Sequence, residues 1–345
     1  MTDCHASLRP DGRQTDSSLI SVVMPIYCGE RTLVKSMNSV LSQEVESMEV
    51  IALDDGSRDA SWQIVTEFRD KRLVAVQHAN RGLAATLNRG IELAQGTFIA
   101  RQDQDDLVLP GRLKKQLDYL ESNPDVAMVG TWAQIYSEDQ PTDRYHRHPC
   151  TSEALRLELL FDNPFVHSSV MVRANVLREV GGYCEDKSRQ PPEDYELWSR
   201  IARKYPVANL PEVLTIYREM PSSMSRTGVS PFLKNVVRIA TENLQAILEP
   251  DYELDRCKAL AEVYHGVSAP PAHFSRSAAR AMLELASRRI GGAEGQWSDE
   301  FRACYSRLRR HIDSCFRQRS LRARLLAPAR WLKNRFRHGG RDRVR

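Results

Sequence analysis

After a polar stretch of eighteen residues the chain enters a run, LISVVMPI (Leu19 to Ile26), that is apolar but for Ser21 and rich in β-branched side chains. That pattern predicts a strand buried on both faces. Leu33, Met37, Val40 and Leu41 follow at offsets 0, +4, +7 and +8, one face of a helix. VIAL (Val50 to Leu53) predicts a second strand that stops at Asp54-Asp55-Gly56-Ser57, and a helix around Ala60 to Arg69 leads to a third, LVAVQ (Leu73 to Gln77). Leu83, Leu87, Ile91 and Ala94 mark another helix. TFIA (Thr97 to Ala100) is then a fourth strand, running into Asp103-Gln104-Asp105-Asp106. Pro110 opens a helix to about Asn123, and VAMVGTWAQIY (Val126 to Tyr136) closes the series. Such alternation implies an α/β fold: a mostly parallel central sheet with helices on both faces. Ligands of such sheets bind beyond the carboxyl ends of the strands, so the polar residues ending each strand are the candidates for chemistry.

The pattern then changes. Ser137 to Cys150 is polar and reads as a connection; VHSSVMV (Val166 to Val172) and VLTIY (Val213 to Tyr217) read as short strands, with a helix starting near Glu193. Beyond Pro231 helices dominate, for example Lys234 to Leu248 and Ala278 to Arg289. The expected organisation is a loose tail (1–18), a main domain (19–228) with halves 19–136 and 137–228, a helical C-terminal appendage (229–300) and a basic amphipathic tail (301–345) broken near Pro328.

Composition refines this. The net charge of +4 hides a segregation: residues 301–345 hold fifteen Lys/Arg against two Asp, leaving the rest of the chain at −9. Trp331 and Phe336 lie among those basic residues, so the tail is expected to lie on an anionic membrane surface; nucleic acid is the less favoured partner. No apolar run approaches the roughly 18 residues a membrane span needs, and the N-terminus lacks an export signal. The expected place is the cytoplasm, with peripheral attachment to the membrane's cytoplasmic face. Seven scattered cysteines, with no C-x-x-C pair, argue for reduced thiols rather than a disulfide framework or zinc cage.

Each polar strand end has a plain and a functional reading. Asp103, Asp105 and Asp106 either form a solvated turn capping the next helix or hold a hard divalent cation, which prefers oxygen ligands shared with phosphates. Asp54 and Asp55 either make a turn or accept hydrogen bonds from a base or ribose. Glu193 and Asp194 either cap a helix or place a general base at its start. His167 reads as a structural histidine in an apolar run.

The order of these blocks is more specific than any one of them. SVVMPIYCGERTLVKSMNSVLSQ, IALDDGSRDAS, NRGLAATLNRGIELAQGTFIARQDQDDLVLPGRL, NPFVHSSVMVRANVLREVGGY and PPEDYELWSRI together resemble glycosyltransferase family 2, over roughly Ser21 to Ser225. The resemblance implies a GT-A (Rossmann-like) fold, with a nucleotide-binding half before an acceptor-side half. It also implies an inverting transfer from a nucleotide sugar, most commonly a UDP-sugar, to an acceptor hydroxyl of a glycan, polysaccharide or lipid-linked saccharide. Carried over, Asp55 would contact the nucleobase, with Pro25, Tyr27 and Glu30 lining the same pocket. Arg81 and Arg101 would touch donor groups, and Asp103 the donor ribose or sugar. Asp105, with Asp103, would hold Mn²⁺ or Mg²⁺ against the diphosphate. Asp194 would be the catalytic base and Glu193 its neighbour. One departure is Met220, which stands where many relatives place a metal-binding His; a thioether is a poor ligand for a hard cation. Two rivals remain. A sugar nucleotidylyltransferase would want a Gly-rich basic loop after the first strand, which MPIYCGERT lacks. A non-catalytic nucleotide-sugar or glycan-binding module would not need Asp105 and Asp194.

Overall fold

The computed structural model describes residues 19–137, 139–219, 229–267, 271 and 274–317. Met220, the first eighteen residues and the tail beyond 317 lie outside them. By its contacts the chain divides into two compact units: residues 1–155 with 163–232, and residues 156–162 with 233–345.

The first unit is built on a nine-stranded sheet. Its leading strands and helices follow the apolar pattern closely: β1 (Ile20–Ile26), α1 (Leu33–Leu41), β2 (Met48–Asp54), α2 (Ser61–Glu67), β3 (Leu73–Gln77), α3 (Leu83–Leu93), β4 (Phe98–Arg101). Then come β5 (Leu107–Val108), α4 (Arg112–Ser122), β6 (Met128–Ser137), β7 (Gln140–His146), α5 (Ser152–Glu158), β8 (Met171–Arg173), α6 (Ala174–Glu179), α7 (Glu193–Lys204) and β9 (Val207–Glu219). The spatial order is β3-β2-β1-β4-β8-β6-β9-β5, with β7 paired to β6. The long ladders β1–β2, β2–β3, β1–β4 and β6–β9 are parallel, whereas β8, β5 and β7 pair antiparallel with their neighbours.

All seven residues of β1 are buried, and its side chains alternate between two covered faces. Ile20, Val22, Met24 and Ile26 share one core with Leu33, Met37 and Val40 of α1 and Leu113 and Leu120 of α4. Val23 points the other way, against α3, where a Cβ on Gly90 would sit 2.4 Å from a Val23 methyl and 3.1 Å from a Leu53 methyl. Glycine at 90 is what lets α3 lie that close to the sheet. The chain runs outward through β1, β2 and β3 and then returns to place β4 on the other side of β1. The carboxyl ends of β1 and β4 therefore flank the point where the strand order reverses, the usual ligand crevice of such sheets.

Three local expectations change. The polar stretch after Ser137 contains β7, an edge strand whose exposed polar side chains hide it from an apolar pattern. The start of VHSSVMV is a 3₁₀ turn, His167–Ser169, and only Met171–Arg173 is strand. Residues 301–317, expected as the start of a separate basic amphipathic helix, are helical but bury Phe301, Cys304, Leu308 and Ile312 and fall in one compact unit with residues 233–300.

The second unit is helical: α8 (Val229–Leu248), α9 (Leu254–Tyr264), α10 (Arg276–Gly291) and α11 (299–317). Phe161 stacks on Tyr264 with ring centroids 4.3 Å apart, the Asn243 amide donates to the Leu159 carbonyl at 2.6 Å, and Arg307 pairs with Glu158. The six described cysteines are free. No helix among the described residues is long and apolar enough to cross a membrane.

Candidate active site

Four loops meet at the carboxyl edge of the sheet: 27–32 after β1, 55–60 after β2, 78–82 after β3 and 102–106 after β4. Their side chains and amides interlock. The Gln104 amide bridges Tyr27, accepting from its N–H at 2.8 Å and donating to its carbonyl at 3.0 Å. Cys28 N–H donates to Ser57 Oγ (2.9 Å), Gly29 N–H to Ser61 Oγ (2.8 Å) and Glu30 N–H to Asp59 (3.1 Å), while Ala60 N–H donates back to Glu30 (3.0 Å). Loop amides that a phosphate-cradling loop would leave open are thus already occupied. The tyrosine ring itself is 45% exposed, and Pro25 is buried within β1.

The two adjacent aspartates after β2 do different work. Asp54 makes the turn, accepting from Ser57 N–H at 3.0 Å. Asp55 accepts from the amides of Arg81 (2.6 Å) and Gly82 (2.9 Å), fixing the 78–82 loop, and lies 3.4 Å from His78 Nδ1. Gly56 between these contacts has φ of 72°, and a Cβ there would be 2.8 Å from Asn80 N. The conformation requires glycine. The Arg81 side chain is exposed and the Glu30 carboxylate is engaged with the α2 start.

After β4 the acidic cluster divides by burial. Asp106, read from sequence as a turn or cap, is 1% exposed; it accepts from Arg218 N–H at 2.8 Å and from Ser168, tying β9 and the 3₁₀ turn to this loop. Burial first, then Asp105 and Asp103, push its carboxyl well above the usual range. Asp103 pairs with the nearly buried Arg101 guanidinium. Among the described residues no side chain hydrogen-bonds the Asp105 carboxylate, whose donor is its own amide; Arg101 and Arg218 act on it through their charge, and Arg218 donates to its carbonyl at 2.9 Å. Burial, followed by the charge of Asp103, raises Asp105 to about 6. Two close carboxylates that repel one another, one without a partner, suit a hard cation. Among the described residues no group of three His, Cys, Asp or Glu converges as a metal cage. The donor set therefore fits an ion bound by one or two carboxylates that completes its shell with phosphate and water.

Glu193 and Asp194 open α7, directly after Pro192. Asp194 is oriented by two donors, Asn163 Nδ2 at 2.8 Å and Tyr195 N–H at 2.7 Å. Burial raises it to about 6, against the lowering effects of Tyr195 N–H and Arg101. Burial, then Asp194, raises Glu193 to about 7. The charges of the β4 end act on both acids, Arg101 lowering and Asp103 raising their pKa values. His167 is structural: its Nε2 lies 2.9 Å from the Tyr183 hydroxyl, it packs edge-on against Trp198, and burial holds its pKa well below normal.

Sequence reasoning gave no role to Asn163, Arg218 or Arg112. Arg112, 0% exposed, donates to Gln102 Oε1 (3.1 Å), Ser168 O (2.7 Å) and Arg101 O (3.3 Å), clamping the end of β4 to the 3₁₀ turn. The available signal is its spacing: Arg112, Gln116 and Leu120 are i, i+4 and i+8, one buried stripe of α4.

Comparison with known proteins agrees with this architecture. The sequence model of glycosyl transferase family 2 matches residues 21–181. The amylovoran biosynthesis glycosyltransferase AmsE of Erwinia amylovora is 30% identical over 227 residues, spanning 64% of this chain and 84% of AmsE. An uncharacterized glycosyltransferase of Haemophilus influenzae is 29% identical over 261 residues, spanning 72% of this chain and 80% of its own. In fold, residues 1–349 of Staphylococcus aureus TarS, solved with UDP-GlcNAc, superpose with a TM-score of 0.58 at 18% identity, covering 87% of this chain and 92% of that one. With the GT-A sheet order, the interlocked strand ends and these relatives together, the chain belongs to glycosyltransferase family 2 and is a glycosyltransferase.

Proposed function

We propose that the chain transfers a sugar from a nucleoside diphosphate sugar to an acceptor hydroxyl in polysaccharide biosynthesis, inverting the anomeric centre, with Asp194 as general base. The observation carrying this reading is the state of Asp194: a buried carboxylate raised to about 6, aimed by Asn163 and Tyr195, facing the Arg101–Asp103 pair. A pKa just below neutrality suits a base that must be ionised yet basic enough to take an alcohol's proton. Glu193 is 7% exposed, and among the described residues its own amide is the donor to its carboxylate, so it serves as neighbour rather than base.

In this reading the exposed Tyr27 ring and the 55–57 turn bound the base and ribose, and Arg101 and Arg81 meet donor oxygens. Asp194 takes the acceptor proton as that oxygen forms its bond to the anomeric carbon from the face opposite the departing diphosphate. One displacement gives one inversion. Asp103 and Asp105 would hold Mn²⁺ or Mg²⁺, which when bound neutralises charge on the diphosphate leaving group. A UDP-sugar is the favoured donor, as TarS was solved with UDP-GlcNAc, and the likeness to AmsE, a glycosyltransferase of amylovoran biosynthesis, supports a polysaccharide as product class. The nucleotidylyltransferase alternative is disfavoured because the amides of Cys28, Gly29 and Glu30 are taken by Ser57, Ser61 and Asp59.

The direct test is a panel of nucleotide sugars assayed for cation-dependent diphosphate release; no release from any donor, with or without acceptor extracts, would refute the reading. Asp105→Ala should abolish cation stimulation and lower kcat/KM by roughly 10²-fold or more. Titration of Mn²⁺ in the presence of UDP should lose its saturable site in the same variant; an unchanged isotherm removes Asp105 as ligand. The pH profile follows from Asp194. A base at about 6 is ionised above that pH and protonated below it, so kcat/KM should be flat above pH 7 and fall toward tenfold per unit below 6. Activity undiminished at pH 5 would contradict the assignment.

A further inference from the structure

The helical unit contains a second concave site, unrelated to the strand-end chemistry. It is an open cleft of about 490 Å³ between α10 and α11, whose polar lining is Ser275, Arg276, Ser277, Arg280, Tyr305 and Arg309 together with one acid, Glu284. That volume is within the range of small-molecule sites.

Its charges do not cancel. Arg280 forks onto Asp313 at 2.7 and 2.6 Å, and Glu284 is paired with Arg288 at 2.6 Å. Asp313 is held below the usual carboxylate range by the Arg280 hydrogen bonds first, with Arg276 and Arg309 adding their charges. Three guanidiniums thus surround one carboxylate. Arg309 donates to the Tyr305 oxygen, and among the described residues neither Arg276 nor Arg309 makes an ion pair. Two positive charges remain uncompensated in a concavity.

Local backbone adds to them. Ser275 caps the sixteen-residue α10, accepting from Ala278 N–H at 3.1 Å, and its hydroxyl lies 2.8 Å from that of Ser277. The amides of Arg276 and Ser277 belong to the first turn, which has no intrahelical acceptor, at the positive end of the helix dipole. Arg276 adds its exposed positive charge at that same end. Guanidinium forks match the planar oxygen pairs of phosphate better than an ammonium does.

We infer that this cleft binds a phosphomonoester or diphosphate group, either free in solution or carried on a lipid. The full-length protein is titrated with inorganic pyrophosphate in EDTA, which silences cation-dependent binding at the strand ends. In parallel it is floated with phosphatidylcholine vesicles with and without phosphatidic acid. Arg276→Ala and Arg309→Ala should each weaken binding about tenfold, as expected for losing one charged hydrogen-bonded contact, and the double variant should abolish it. Donor hydrolysis should be unchanged in all three, which also reports that they fold. Pyrophosphate binding lost in the double variant without vesicle dependence identifies a soluble ligand. Phosphatidic-acid-dependent flotation lost in the double variant identifies a lipid headgroup. If pyrophosphate does not bind, or binds the double variant as wild type does, and flotation is likewise unaffected, the inference is overturned.

Discussion

Asp194→Asn is expected to lower kcat by about 10²–10⁴-fold while donor affinity stays within a few-fold of wild type. The amide is nearly isosteric, and its oxygen can still accept from Tyr195 N–H, so the start of α7 keeps its geometry. What it lacks is a basic lone pair for the acceptor's proton. The substitution has one structural cost. Asn163 now donates to Asp194 Oδ2 at 2.8 Å while accepting from Phe165 N–H at 3.1 Å. A new NH₂ at 194 would face that NH₂ of Asn163, and Asn163 cannot flip without losing Phe165, so a stability loss of about 1 kcal/mol is expected. The informative measurement is therefore the split: isothermal binding of UDP unchanged, single-turnover transfer lost, and the acid limb of the pH profile gone with it. Transfer within tenfold of wild type would move the base elsewhere, and Glu193→Gln would then be the next variant to assay.

The nucleotide half was legible because its physics is local. β1 is apolar at every position but Ser21 and α1 carries one apolar stripe, so the pattern alone places both within a residue or two. The aspartates ending β2 and β4 could be located the same way, since a strand that stops on carboxylates announces its edge. Their division of labour could not. Asp54 and Asp55 are adjacent and chemically identical, yet one folds its own turn and the other grips amides 26 and 27 residues away. Asp105 and Asp106 differ likewise, because only tertiary contacts from Ser168 and Arg218 decide which is buried. β7 escaped for the opposite reason: an edge strand pairs through its backbone and exposes polar side chains, so its composition resembles a loop. Elsewhere the sheet is completed by short segments, β5, β8 and the 3₁₀ turn beside it, each too brief to show a period.

Arg112 was missed because charge is read as exposure, and replacing it should carry the largest stability effect in the first unit. Arg112→Met, close in length and apolar, is expected to cost about 3–5 kcal/mol in denaturant unfolding. The guanidinium is fully buried, and burial depresses its pKa to about 9, with Asp106 opposing that shift. Its removal leaves the Ser168 and Arg101 carbonyls without this donor and takes from Asp106 one of the positive charges that act on it. Both losses fall on the segment that carries Asp103 and Asp105. A partial rescue separates this account from a simple packing defect. Asp106→Asn keeps an acceptor for Arg218 N–H and removes the stranded charge, so the double variant should be more stable than Arg112→Met alone, with a coupling of about 1–3 kcal/mol. If Arg112→Met unfolds within 1 kcal/mol of wild type, or the two effects simply add, then the β4 end is held by the sheet itself. The guanidinium would then be a passenger in the core rather than the clamp that positions the acidic loop.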